Sequence, residues 1–206
     1  YTLANTDPTA NHTLYPISGP WSFFRGCRIY SGTAVIEDID YANKVHEMFS
    51  LLTGKHAREN DCNVEGFGET WTSDEVYYAS YNPTAASNKV KDNWRGGITN
   101  NSTKTVSFKP LFGILNQPKF IPLQWLPLTM EFELVTDGLD PIIPSDANSQ
   151  FTVATTSTSW QIKDCYIKAD VIELDSAVHN EYASHLMNGN PIPINYSSFI
   201  TQDRKS

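Results

Sequence analysis

Along this chain apolar and polar residues alternate more often than they recur at helical spacing, and the pattern predicts a mainly β protein. The clearest stretch runs from Leu128 to Val135. Leu128, Met130, Phe132 and Leu134 fall on one side, and Thr129, Glu131 and Glu133 on the other. That alternation predicts an antiparallel strand with an inward apolar face and a wet one. A second strand region, from Trp21 to Ile36, is aromatic and β-branched and is entered through Gly19-Pro20. Period-two counting puts Cys27, Ile29, Ser31, Thr33 and Val35 on one face, with Tyr30, Ala34 and Ile36 on the other. Thr103 to Phe108 is a third candidate, with Val106 and Phe108 in phase. In the fourth, Ser159 to Leu174, the apolar phase shifts between Ile162 and Cys165, as a bulge or a change of cover would produce.

Two stretches switch to helical spacing. Tyr41, Val45, Met48, Phe49 and Leu52 share one helical face, with Asp40 as the expected N-cap and Gly54 as the closing glycine. Ala177, Val178, Tyr182, Ala183, Leu186 and Met187 form the second stripe, begun after Asp175 and ended by Gly189, Pro191 and Pro193. Both keep the order strand, acidic cap, amphipathic helix, glycine, which raises the idea of two related β units in one chain. Between them, Asn60 to Asn100 reads as a long polar loop with scattered aromatics (Trp71, Tyr77, Tyr78, Tyr81, Trp94). Loops of that length are often functional, and this one is expected at a subunit contact or an outer surface. Asp137 to Gln150, with Asp-Gly and two prolines, reads as a linker and as the place for any domain boundary.

Composition narrows the classes. The 206 residues are 40% hydrophobic and 18% charged, a globular balance, and the length allows one sizeable domain or two small ones. The net charge of −8 is spread out, which disfavours phosphate-backbone binding. No apolar run approaches the roughly 18–20 residues of a membrane-spanning helix. Tyr1 to Asn11 is polar, without the layout of a signal peptide, and a chain that starts at Tyr1 rather than Met reads as processed, trimmed or cut from something longer. Cys27, Cys62 and Cys165 are odd in number and lack metal-binding spacing, so they read as free thiols. Sequons stand at Asn11, Asn100, Asn101 and Asn195.

The candidate chemistry is thin. His46-Glu47 opens an HExxH zinc motif only superficially, because position 50 is Ser, and the pair reads as solvent-facing. His179 and His185 are six apart on one helix and point away from each other, which suits surface histidines better than a metal pair. Glu37, Asp38 and Asp40 fit helix capping better than a carboxylate dyad or a calcium site. No residue is assigned a catalytic, cofactor-binding or metal-ligating role, and the chain is not expected to be an enzyme.

Three ordered passages stand out beyond this local reading. The first runs from Arg28 through Val35-Ile36-Glu37-Asp38-Ile39-Asp40 to Phe49, then Glu65-Gly66-Phe67-Gly68. The second runs from Phe108 to Leu123 and then from Pro127-Leu128 to Val135. The third comprises Trp160-Gln161-Ile162, Leu174-Asp175-Ser176 through Ala183, Gly189, and Pro191 to Tyr196. In this order they resemble the double-jelly-roll major capsid proteins of eukaryotic DNA viruses, in the polinton-like virus, adintovirus and virophage branch. The resemblance implies antiparallel jelly-roll β-sandwiches with two short amphipathic helices. Residues 1–145 would be the latter part of a first roll, and 146–206 the linker and incomplete start of a second. It implies a homotrimer forming pseudo-hexagonal capsomers in a virion shell, next to other capsomers and to penton or minor capsid proteins. It implies no cofactor and no specific nucleic-acid site in this piece, whose basic pair is Arg204-Lys205. Two readings stand beside it: a secreted β-sandwich carbohydrate-binding module, and, more weakly, a β-sandwich hydrolase using carboxylates among Glu65, Glu69, Asp74 and Glu75.

Overall fold

The computed structural model describes residues 1–10, 12–54, 57, 61, 64–67, 97–143 and 156–201. Most of the long loop, residues 68–96, and the second half of the expected linker, residues 144–150, lie outside the described residues. The described part is β-rich, with two three-stranded antiparallel sheets and a few helices. In the first sheet β1 (Thr2–Asn5) is central, flanked by β4 (Thr103–Thr105) and β6 (Trp160–Lys163). In the second, β2 (Phe24–Ser31) is central, between β3 (Ala34–Ile39) and β5 (Thr129–Leu134). A 3-10 turn (Pro20–Phe23) precedes β2. Helix α1 (Ala42–Leu52) comes after β3, α2 (Gly113–Asn116) is a single turn, and α3 (Ser176–Met187) lies near the C-terminus.

The core draws on both sheets. Leu3, Cys27, Ile29 and Ile39 are buried together with Phe23, Phe24, Phe112 and Ile114, and Met130, Phe132, Trp160 and Ile162 pack against them. Aromatic edges join the sheets: the Phe23 and Trp160 rings meet at 4.8 Å, and Tyr1 meets Phe24 at 5.5 Å, both edge to face. Burial of rings of this size supplies the main hydrophobic driving force.

Several expectations change. Residues 21–36 are not one strand but the turn, β2 and the start of β3, folded back at Gly32-Thr33. Gly32 has φ of +60°, at the first of two loop positions, where a II′ hairpin turn takes glycine. The fold-back reverses the facing of the residues beyond it, so Val35 is exposed, although Cys27 and Ile29 are buried as expected. A bulge at Arg25 resets the phase of β2, which lets Phe24 and Cys27 both point inward although three apart.

On β5, Met130 and Phe132 pack on the core as expected, but Leu134, at the strand end, is 46% exposed. The strand expected from 159 to 174 stops at Lys163. Asp164 takes φ of +50° at the point where the apolar phase shifts, and the chain leaves the sheet there. The first part of the expected linker is packed rather than free: Ile142 is buried and bridged to Pro16, and Trp160 donates its ring N–H to the Gly138 carbonyl.

Helix ends obey different rules from those expected. Tyr41, with φ of +52°, is the N-cap of α1 and makes no side-chain cap bond, so Asp40 does not cap the helix. The Arg25 guanidinium and Lys44 ammonium lie 5.5 and 4.8 Å from the Tyr41 ring centroid, within cation–π range. Thr53 closes α1, its hydroxyl donating to the Phe49 carbonyl, and Gly54 comes next without a left-handed φ. The end of α3 is as expected. Gly189 has φ of +77°, its N–H donates to Leu186 O, and the Asn190 N–H donates to His185 O, the paired bonds of a Schellman motif.

Candidate functional site

The acidic run before α1 does not converge on one point. Strand alternation sends Asp38 outward and Glu37 inward. Outside, Arg28 on β2 stands opposite Asp38 of β3 and Glu131 of β5. Its Nε donates to Asp38 Oδ1 at 2.9 Å and its Nη1 to Glu131 Oε1 at 2.8 Å. Nη2 lies 3.2 Å from Glu133 Oε2 and 3.9 Å from Asp40 Oδ1. Bonds to Glu131 and Asp38 hold the guanidinium pKa above its usual value. One cation thus ties three strands together across their wet face, and the site is a structural clamp.

Inside, Glu37 is 2% exposed. One oxygen accepts the Ile114 N–H at 3.2 Å, and the other has no hydrogen-bond partner among the described residues. Burial raises the pKa of this carboxyl, and the Ile114 N–H partly opposes the rise. The wall of the site is close: a Cβ on Gly113 would meet the Ser197 carbonyl oxygen at 1.8 Å, so only glycine lets residues 196–201 lie here. That segment is pinned by the Tyr196 hydroxyl donating to Ile36 O, the Thr201 hydroxyl donating to Asp40 O, and Phe199 packing on Phe49 at 5.0 Å.

His46 corrects the solvent-facing expectation. Its ring stacks on Trp21 at 3.9 Å with a 16° interplanar angle, and Nε2 donates to the Lys109 carbonyl at 3.2 Å. Burial lowers its pKa. Glu47 accepts the Trp21 ring N–H at 3.3 Å, so both members of the pair are packed onto the 3-10 turn. His179 is stacked on Trp125 at 5.4 Å and bonded to Gln124, while His185 is exposed, so the two do not meet. No group of three potential metal ligands occurs among the described residues.

A polar cluster at the N-terminus has almost no signature in the sequence. Asn5, 2% exposed, donates to His12 O and Ile98 O, and accepts from the Ser157 hydroxyl and the Asp7 N–H. Asp7 pairs with His12 Nδ1 at 2.8 Å, and that bond, with the Thr9 N–H, lowers its pKa to about 2. An Asp–His pair is two thirds of a hydrolytic triad, but among the described residues no hydroxyl or thiol bonds the other ring nitrogen. The cluster instead knits residues 5–12 to 98 and 157–159. Its one sequence signal is Asn, Asp and His crowded into a segment too short to suggest a strand.

Glu65 is half-buried, and burial, then repulsion from Asp61 and Glu47, pushes its pKa up to about 7. Its expected carboxylate partners Glu69, Asp74 and Glu75 lie outside the described residues, as do Cys62 and the sequon asparagine Asn11. Cys27 is buried, which pushes its thiol up to about 12, and Cys165 is a free, exposed thiol. A cleft of about 210 Å³ opens between Arg25, Lys44 and Asp140, with mixed charge at its rim.

A run of exposed apolar residues follows β6. Every residue from 164 to 178 is exposed, including Tyr166, Ile167, Val171, Ile172 and Leu174. Residues 165–174 form no backbone hydrogen bond with other described residues. Helix α3 next to it buries no side chain. No helix among the described residues is long and apolar enough to cross a membrane. No family model matches the chain, and neither a curated protein nor a solved structure does.

Proposed function

We propose that this chain belongs to a structural major capsid protein of the double-jelly-roll type. Residues 1–145 would supply the latter part of the first roll, and 146–206 the linker and the start of the second. The subunit trimerises into pseudo-hexagonal capsomers, which tile an icosahedral virion shell and contact penton and minor capsid proteins at its seams. Its work is mechanical: strands form the rolls, and loops between them make the contacts.

The observation that carries this reading is where two of the capsid-like passages meet. Residues 35–49 run from β3 into α1, and residues 127–135 contain β5. Far apart in sequence, both strands flank β2 in one antiparallel sheet and share the Arg28 clamp. Pairing sequence-distant strands side by side in antiparallel sheets is what a jelly roll does.

The test is the size of the native assembly that contains this polypeptide. A megadalton shell is the expected result. A glycosylated monomer that binds oligosaccharides would overturn the proposal and favour a secreted carbohydrate-binding module.

A further inference from the structure

Residues 193–201 lie against β3 as an irregular strap fastened through side chains. They form no backbone–backbone hydrogen bond with other described residues. Instead the Lys119 ammonium donates to Pro193 O at 3.0 Å, the Tyr196 hydroxyl to Ile36 O at 3.1 Å and the Thr201 hydroxyl to Asp40 O at 2.6 Å. Ile36 is the residue passed over where the β2–β3 register shifts, and its carbonyl takes the phenol. Ile194 and Phe199 pack inward, Phe199 on Phe49 of α1.

Glu37 lies beneath this strap. Residues 195–198 are exposed while Glu37 is 2% exposed, so the cover is a single thickness of chain. A Cβ on Gly113 would collide with the Ser197 carbonyl oxygen and lie 2.9 Å from Glu37 Oε1, which puts strap backbone and carboxyl on one small patch. Among the described residues Glu37 is in no ion pair. β2 sets Ile29 opposite it, α2 offers the Gly113 and Ile114 N–H groups, and the strap brings the Ser198 hydroxyl and the Tyr196 phenol. These dipoles do not replace the water that an ionised carboxylate loses, so burial wins and raises the pKa of Glu37. Burial, and then the Glu37 charge, raises the Tyr196 phenol, which therefore stays neutral wherever a carboxyl titrates.

We propose that residues 193–201 are a proton-controlled latch, closed over Glu37 while its carboxyl is neutral and released from β3 when it ionises. Closing strips water from the carboxyl and opening returns it, so proton binding and closure favour each other. With a raised pKa in the closed form, closure is fully supported in the ordinary carboxyl range and below, and weakens as pH rises through the shifted value. Fastening by side chains makes the release local, because no ladder bond has to break. Opening uncovers the carboxyl and the Ile36 and Asp40 carbonyls. The latch goes beyond the capsid reading and does not rest on it, because both of its halves are within this chain.

Limited thermolysin digestion of the 206-residue chain tests the latch, with Glu37→Gln digested alongside at each pH from about 5 to about 8. The neutral glutamine keeps the shape and cancels the pH dependence of the protease itself. The rate of cleavage within 193–201, wild type over variant, is expected to rise about tenfold across that range. Carbon-13 NMR of the Glu37 carboxyl supplies the reciprocal measurement. Its midpoint is expected above the ordinary 4.5 in the wild type, and nearer to 4.5 in Tyr196→Phe with Thr201→Val, which lacks two fastening hydroxyls. Cleavage of that double variant is expected to be fast throughout. A cleavage ratio that stays flat with pH overturns the proposal. So does a Glu37 midpoint that the loss of both hydroxyls leaves unmoved, since the core and not the strap would then bury the acid. The NMR comparison changes nothing at Glu37, so it decides the question even where the glutamine variant fails to fold.

Discussion

Removing the Arg28 guanidinium is the sharpest probe of how the β3-β2-β5 sheet is held. Arg28→Met keeps most of the aliphatic stem and deletes the charge. Two contacts are short charge-assisted bonds, to Asp38 at 2.9 Å and Glu131 at 2.8 Å, and two are looser, to Glu133 at 3.2 Å and Asp40 at 3.9 Å. All five side chains are partly open to solvent, so each pair contributes only about 0.2–1 kcal/mol. The deletion also leaves four carboxylates facing one another, with the much weaker Arg25–Glu133 contact at 3.6 Å as the nearest relief. Together these give a loss of about 2 kcal/mol, or about 4–8 °C in Tm for a chain of this size. The assay is urea unfolding in low salt and in about 1 M NaCl, where the Debye length falls to about 3 Å. Most of the loss is expected to disappear in high salt. An equal loss at both salt concentrations would refute the electrostatic account and assign the effect to packing of the stem, and no loss at all would refute the clamp.

Single groups elsewhere give further expectations. Glu65 has a folded pKa raised to about 7 from an ordinary 4.5, so its contribution is fully present below about pH 4.5 and is lost as pH rises through 7. Relative to Glu65→Gln, the wild type is expected to lose about 1 kcal/mol over that window, after allowance for its partial exposure, and pH-dependent urea unfolding that stays parallel for the two proteins would contradict this. Gly32→Ala is expected to cost about 1 kcal/mol because of the positive φ alone, since nothing lies within 4 Å of the added methyl group. Gly32→Asn should cost less, and equal thermal melts for glycine and alanine would count against the turn assignment. Met130 faces Ile29 across the β2–β5 pair and packs on the core, so Met130→Asp is expected to destabilise by about 2–4 kcal/mol in chemical denaturation. A wild-type midpoint for that variant would remove Met130 from the inward face.

The parts of the fold legible in the sequence are those whose local signals agree. β5 is readable because charged and apolar residues alternate cleanly, and the end of α3 because Gly189 closes the stripe and prolines prevent continuation. The hairpin at Gly32 is hidden because apolar residues continue through the turn, and period-two counting cannot register a reversal of the chain. β1 is invisible because four residues carry too little pattern; its strand character comes from partners about 100 and 160 residues away. The end of β6 is half visible: the phase shift marks the place but suggests a bulge, where Asp164 instead turns the chain out of the sheet. Among the candidate residues, the sequence groups Glu37 with Asp38, and the pleat separates them into a buried acid and a surface ion pair. His46 looks solvent-facing in sequence because the residue that buries it, Trp21, lies on another element. The Asn5, Asp7 and His12 cluster depends on Ser157, a contact that no local pattern encodes.

Whether this chain builds a shell is decided by electron cryomicroscopy of the native particle containing it. The expected result is an icosahedral shell of three-fold capsomers with pseudo-hexagonal outlines. In their density, β3, β2 and β5 would lie side by side within one jelly roll, with α1 on the same roll. A particle in which this chain is a monomeric attachment, or a shell whose capsomers contain no such sheet, would contradict the capsid reading.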